Sequence, residues 1–284
     1  MSITAHMVKE LRDMTGAGMM DCKKALQEVE GDLEKAVDWL RQKGIAKAAK
    51  KSGRATSEGV VAFVDGNGGK LAALAAVCCE TDFVARGEKF QEFAGRVVKT
   101  VLDQNPADNA ALDAILGEDM KEQIATVGEN MTLGAFVRME RKGPGSIGVY
   151  IHSNGKIGVL VDIETGSDAT VAKPEFHDLA KNLAMQIAAA SPLSVEPSCL
   201  DQTTVERERE VYRQKALEDG KPANIVEKIV EGAVKKFYKE VCLMEQLFIR
   251  DDKKTIADVV KEASKALGDT IKVITFARIQ LGVE

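Results

Sequence analysis

The chain repeats itself, and the repeat limits what it can fold into. Gly59-Val60-Val61-Ala62-Phe63-Val64 alternates as a strand and runs into Asp65-Gly66-Asn67-Gly68-Gly69, a hairpin turn. Residues 71–77 return, and Thr81 opens a helix expected to reach Leu102. The same order recurs downstream. Ile147-Gly148-Val149-Tyr150-Ile151-His152 leads to the turn Ser153-Asn154-Gly155-Lys156, residues 157–163 return, and a helix is expected from Pro174 to Ala190. The offsets are nearly constant: 89 from Gly59 to Gly148, 84 from Glu80-Thr81 to Glu164-Thr165, and 86 from Phe90 to Phe176. Two copies of a hairpin-plus-helix unit follow, each with a helix over one sheet face. Between them, residues 120–127 read as helix and 131–139 as a further strand.

The flanks read differently. Residues 3–43 spell three short helices. The first begins near Thr4 with Val8 and Leu11 inward, and Met14-Thr15-Gly16-Ala17-Gly18 breaks it. The second carries Met19, Cys22, Leu26 and Val29 on its apolar face. Asp32 caps the third, whose stripe is Leu33, Ala36, Val37 and Leu40, and Gly44 is expected to end it. So small a unit is marginally stable and reads as a docking module on a tether. The tether, residues 46–58, carries Lys47, Lys50, Lys51 and Arg54 without aromatic partners, which favours a solvated linker over a nucleic-acid arm. Residues 201–240 read as an antiparallel helical hairpin. Val205, Tyr212 and Ala216 lie on its first helix, Asp219-Gly220-Lys221-Pro222 forms the turn, and Ile225, Ile229, Ala233 and Phe237 form the answering stripe. A protrusion with one thin apolar seam meets a partner or its own copy, so a homodimer through the hairpin stays open. A helix over 255–267 and a strand over 271–281 close the fold.

Composition removes several function classes. A net charge of −5 argues against a nucleic-acid binder. One Trp and three Tyr beside nine Phe make a poor base-stacking platform. Five cysteines without C-x-x-C spacing suit neither a disulfide framework nor a zinc site, and fit a reducing cytoplasm. No apolar run approaches the roughly 18–20 residues of a membrane span, and no secretory signal is evident. His6, His152 and His177 lie on three different elements, and no P-loop, GxSxG or HExxH pattern occurs. No catalytic residue, cofactor or metal is expected.

One run invites a role. In Glu80-Thr81-Asp82-Phe83-Val84, Thr81 is placed to cap a helix and Asp82 to sit in its first turn, where the dipole favours a carboxylate. Phe83 then stands at the helix start, off the core-facing stripe. It is either a wedge for another protein or a staple holding the helix to its sheet.

Thr15–Leu26, TGAGMMDCKKAL, taken with Thr81-Asp82-Phe83-Val84 and with GKPANIVEKIVEG from Gly220, resembles the translation elongation factor Ts family over almost the whole chain. The resemblance implies a guanine-nucleotide exchange factor for the GTPase elongation factor Tu, working without chemistry. It implies an α+β fold: an N-terminal three-helix module similar to ubiquitin-associated domains (1–54 with its linker), a core of two repeated α/β subdomains (55–142, and 143–200 with 241–284), and the protruding hairpin (201–240). By position, the family's partner contacts fall on Lys23, on Thr81, Asp82, Phe83 and Val84, on Val127 and Gly128, and on His152, Lys181, Ile249 and Arg250. Asn182 stands where the family often has His, Arg250 where an apolar residue is common, and the chain stops at Glu284 where many members continue. Two other classes stay open: an adaptor that docks a client through residues 1–44, and an enzyme using a cleft between the repeats.

Overall fold

A strand that is apolar on both faces cannot leave either face in water. Two strands here are of that kind. The computed structural model describes residues 3–49 and 51–282. In chain order its elements are helices α1 (Ala5–Thr15), α2 (Met19–Glu28) and α3 (Leu33–Ala49), strands β1 (Glu58–Gly66) and β2 (Leu71–Cys79), helices α4 (Asp82–Ala85), α5 (Glu88–Gln104) and α6 (Asn109–Val127), and strand β3 (Met131–Glu140). The second half has strands β4 (Gly145–Ile151) and β5 (Ile157–Thr165), helices α7 (Asp168–Val171), α8 (Pro174–Ala190), α9 (Gln202–Glu218) and α10 (Ala223–Val241), the short strands β6 (Leu247–Phe248) and β7 (Asp251–Thr255), α11 (Ile256–Leu267) and β8 (Ile271–Gln280). The class is α+β.

The two doubly apolar strands, β2 and β5, are the centres of two antiparallel sheets, β1-β2-β3 and β4-β5-β8. On β2, Ala73, Ala75 and Val77 pack under Phe90, Phe93, Val97 and Val101 of α5. On β5, Val159, Val161 and Ile163 pack under Phe176, Leu183 and Ile187 of α8. The opposite faces meet each other: Val61, Ala72, Leu74 and Ala76 press on Ile147, Leu160 and Ile279. The order of layers is helix, sheet, sheet, helix. Small residues bring the sheets close, since a Cβ on Gly158 would lie 2.6 Å from Val61 Cγ1.

The repeat is deeper than its sequence shows, and two correspondences change. Gly59 matches Gly145, not Gly148. Both take positive φ, 144° and 126°, and a Cβ on either would lie 2.1 Å from a carbonyl oxygen across the ladder, that of Val77 or Ile163. Thr81 matches Ser167, not Thr165, because each caps a four-residue helix, α4 or α7. The helix expected from 81 to 102 is therefore two, broken at Arg86-Gly87. Each copy also owns a further helix and third strand, α6 with β3 and α11 with β8. In both, an arginine of that strand reaches back to the end of the long helix: Arg138 Nε donates to Leu102 O at 3.0 Å, Arg278 Nε to Ala188 O at 3.2 Å. The residues between α8 and α11 interrupt the second copy and hide this part of the repeat in the sequence.

The flanks correct the reading elsewhere. Val8, Leu11, Cys22, Ala25, Leu26 and Ala36 form the module's small core. Met19, expected on the apolar face, is 45% exposed and its neighbour Met20 is 75% exposed, because α2 turns Cys22 and Leu26 inward instead. Gly44 does not end α3. The helix runs to Ala49, and Gly44 is where it touches α6: a Cβ there would lie 2.8 Å from that of Ala125. Arg41 pairs with Glu122 of α6 at 3.4 Å, so the module lies against the core and is not on a free tether. Lys50 and the end at Glu284 lie outside the described residues. In the helical hairpin Phe237 is in the seam as expected, but the seam's other residues lie one position past the expected stripe. Val226, Val230, Val234 and Phe237 are buried, while Ile225 and Ile229 stay 39% and 36% exposed.

Leu160 is fully buried between the sheets. Leu160→Ala is expected to cost about 2–5 kcal/mol, read from the shift in denaturant midpoint at constant slope.

Candidate functional site

Phe83 is the most exposed large hydrophobic side chain among the described residues, at 83%. It is not a staple. Thr81 caps α4 by accepting the Val84 N–H at 3.4 Å, and Asp82 pairs along the helix with Arg86 at 3.1 Å. Val84 turns the other way and packs on the α5 core. The short helix thus sorts its two apolar residues, one in and one out.

Its base is held from outside. Gly128, in left-handed conformation with φ 88°, ends α6 and turns the chain so that Glu129 faces Thr81. The Glu129 carboxylate accepts the Thr81 N–H at 3.0 Å and the Thr81 hydroxyl at 2.7 Å. The next pair crosses the other way, with the Asn130 N–H donating to Glu80 at 2.6 Å. Asn130 is buried and donates its side-chain amide to Arg54 O at 2.7 Å, while the Arg54 guanidinium lies 3.4 Å from Glu80. Lys51 donates to Gly128 O. The linker after α3 is therefore tied to the turn that holds the exposed Phe. The Asn130 N–H, then Arg54, holds the Glu80 carboxyl below its ordinary 4.5.

This geometry brings Thr81–Val84 together with Val127 and Gly128. A second group forms on the other copy. Gln186 of α8 is buried and makes three bonds: its amide donates to Gln246 Oε1 and to Leu247 O, both at 3.1 Å, and its Oε1 accepts the Ile249 N–H at 2.9 Å. That fixes the turn at Ile249 (45% exposed), from which Arg250 reaches Asn182 of the same helix. Arg250 Nη1 donates to Asn182 Oδ1 at 2.9 Å, so the two residues that depart from the family's pattern are each other's partner. His152 stands apart at the β4–β5 hairpin, with Nδ1 3.1 Å from the Tyr150 hydroxyl. Lys23 is exposed on α2. Sequence reasoning missed the exposed Met14, Met19 and Met20 near Lys23 in the chain, and it missed Gln186, whose buried amide leaves no local signal.

The three histidines are exposed and separate, and the described residues hold no cluster of three metal-ligating side chains. No described helix is long and apolar enough to cross a membrane. The two repeats meet through packed apolar faces. A cleft of about 450 Å³ lies between the N-terminal helices and α6. Burial, and then the Glu129 charge, pushes the Cys79 thiol up to about 12.

Comparison with known proteins gives one answer. The family model described as Elongation factor TS matches residues 80–283. The protein named Elongation factor Ts from Desulfovibrio desulfuricans is 66% identical over 284 residues, covering 100% of this chain and 99% of its own. That of Nitratidesulfovibrio vulgaris is 57% identical, covering 99% and 96%. That of Lawsonia intracellularis is 52% identical over the full length of both.

Two measurements check this site. A carboxylate whose folded pKa is depressed stabilises the fold above its unfolded pKa, and that contribution is lost as pH falls through the folded value. Glu80→Gln should therefore lower Tm at neutral pH and lose less than the wild type as pH falls below about 4.5. A thiol pushed to about 12 is protonated at pH 8, so an alkylating reagent should label exposed Cys199 and spare Cys79 until the chain unfolds. Equal labelling of both would mean that the base of α4 is open.

Proposed function

The chain belongs to the elongation factor Ts family, and we propose that it is a guanine-nucleotide exchange factor that binds elongation factor Tu·GDP and promotes GDP release by displacement. Family membership carries the coarser part, nucleotide exchange on elongation factor Tu in translation elongation. The observation that supports the finer part is Phe83: a large apolar side chain in water, on a helix whose base is tied at several points.

The factor moves no covalent bond. Phe83, flanked by Asp82, inserts beside the GTPase's switch region and shifts it. The shift disturbs Mg²⁺ coordination and tilts the phosphate-binding loop, so GDP loses its anchors. Lys23, with exposed Met19 and Met20 on the same helix, meets the nucleotide-binding domain. Val127 and Gly128 border the wedge. His152, Lys181, Ile249 and Arg250 give a second foothold from the other copy, so that force at Phe83 is resisted and does not simply roll the factor off. The module's packing against α6 speaks against an adaptor working through residues 1–44 alone.

Burying one Phe is worth roughly 1.5–3 kcal/mol, and each ~1.4 kcal/mol off a barrier is tenfold in rate. Phe83 alone supplies about one to two decades, and the remaining contacts supply the rest. Coupling is reciprocal: a factor that weakens GDP is weakened by GDP equally. It speeds exchange in both directions, and the supply of GTP and GDP sets the outcome.

Stopped-flow release of fluorescent GDP from elongation factor Tu tests this. The wild type should accelerate release. Phe83→Ala should slow it by about 10–100-fold with Tm unchanged, because the side chain it removes already lies in water. No acceleration by the wild type overturns the reading, and a mutant as fast as the wild type removes the wedge.

A further inference from the structure

A four-residue helix has little stiffness of its own, and a wedge that yields does no work. The capping bond of α4, from the Val84 N–H to the Thr81 hydroxyl, is 3.4 Å long. The shorter bonds at its base come from outside, both from Glu129: 3.0 Å to the Thr81 N–H and 2.7 Å to the Thr81 hydroxyl. The hydroxyl that donates to Glu129 keeps its lone pairs for Val84. One carboxylate thereby fixes the rotamer of the cap and the backbone two residues before Phe83.

The second copy makes the same kind of contact. Asp269 follows the left-handed Gly268 at the end of α11, as Glu129 follows Gly128 at the end of α6. Its carboxylate accepts the Ser167 N–H at 3.1 Å at the cap of α7 and also takes the Thr170 hydroxyl. There the acid ties its short helix down through two of that helix's own hydroxyl and amide groups. In the first copy Val84 stands in the place of Thr170, so all of the acid's reach falls on Thr81. Ala169 occupies the place of Phe83. The copy that carries the protruding Phe is the copy whose clamp rests on a single residue.

We infer that Glu129 is a positioning residue for Phe83, acting on nucleotide release through the wedge and not by touching nucleotide. The inference rests on the exchange reading above. Glu129→Gln keeps the size and exchanges one acceptor for a donor, so it can serve the Thr81 N–H or the hydroxyl as an acceptor, but not both.

The test is GDP release from elongation factor Tu·GDP over a range of factor concentrations, using the full chain. It separates the saturating rate from the half-saturating concentration. Glu129→Gln should lower the saturating rate by about tenfold and leave the half-saturating concentration within about twofold, because docking elsewhere is intact. In the Phe83→Ala background it should change nothing further, since a positioning residue has nothing left to position. A wild-type rate for Glu129→Gln, an effect confined to the half-saturating concentration, or a full additional loss in the double variant overturns the inference while the exchange reading stands. A wild type that does not accelerate release overturns both. Should Glu129→Gln fail to fold, Glu129→Asp keeps the charge, shortens the reach to Thr81 and is held to the same three outcomes.

Discussion

The contact between the two small sheets is the constraint on which the molecule depends. A three-stranded sheet with one face covered by a helix still has a second apolar face, and β2 and β5 carry apolar residues on both. Pressing the second faces together, with Leu74 and Leu160 at the contact, solves the problem for both copies at once. The long helices α5 and α8 are then forced outward, and the short helices α4 and α7 sit at sheet ends. Alanines on β2 and Gly158 on β5 set how closely the layers approach. The result is a four-layer body with its turns at the rim.

Duplication then allows division of labour. Each copy keeps the helix-end arginine, the left-handed glycine after its last helix, and a carboxylate on the cap of its short helix. What differs is attached to that shared frame. The first copy puts Phe83 in water. The second carries Ala169 there and instead bears the helical hairpin and the Gln186-anchored turn with Ile249 and Arg250. The two copies differ in what each adds, not in the frame they share.

Much of this was legible in the chain. Turn chemistry at Asp65–Gly69 and Ser153–Lys156 fixed both hairpins, and Thr4, Thr81 and Asp32 announced helix starts through their side chains. The misreadings share a cause: local pattern cannot choose between neighbours of similar character. Ile225/Ile229 and Val226/Val230 have the same helical spacing, and only packing against α9 selects the second pair. Gly44 looks like a stop and is a contact with α6, a helix far along the chain. Met19 and Met20 are as apolar as any core residue, and nothing local marks them as outward. The site was half legible. The cap and the aromatic of Thr81–Val84 could be read, but the exposure of Phe83 depends on the direction of α4, whose cap is bound by Glu129 from 48 positions away. The turn that carries Ile249 and Arg250 is held by a buried glutamine that no motif announces.

Displacement has a thermodynamic signature that no side-chain detail can evade. Calorimetric titration of the chain into elongation factor Tu, once nucleotide-free and once loaded with GDP and Mg²⁺, measures it directly. The account expects much weaker binding to the GDP form, by the same factor by which the chain weakens GDP binding. Equal affinity for the two forms would mean that the chain docks without opposing the nucleotide, and would contradict the account.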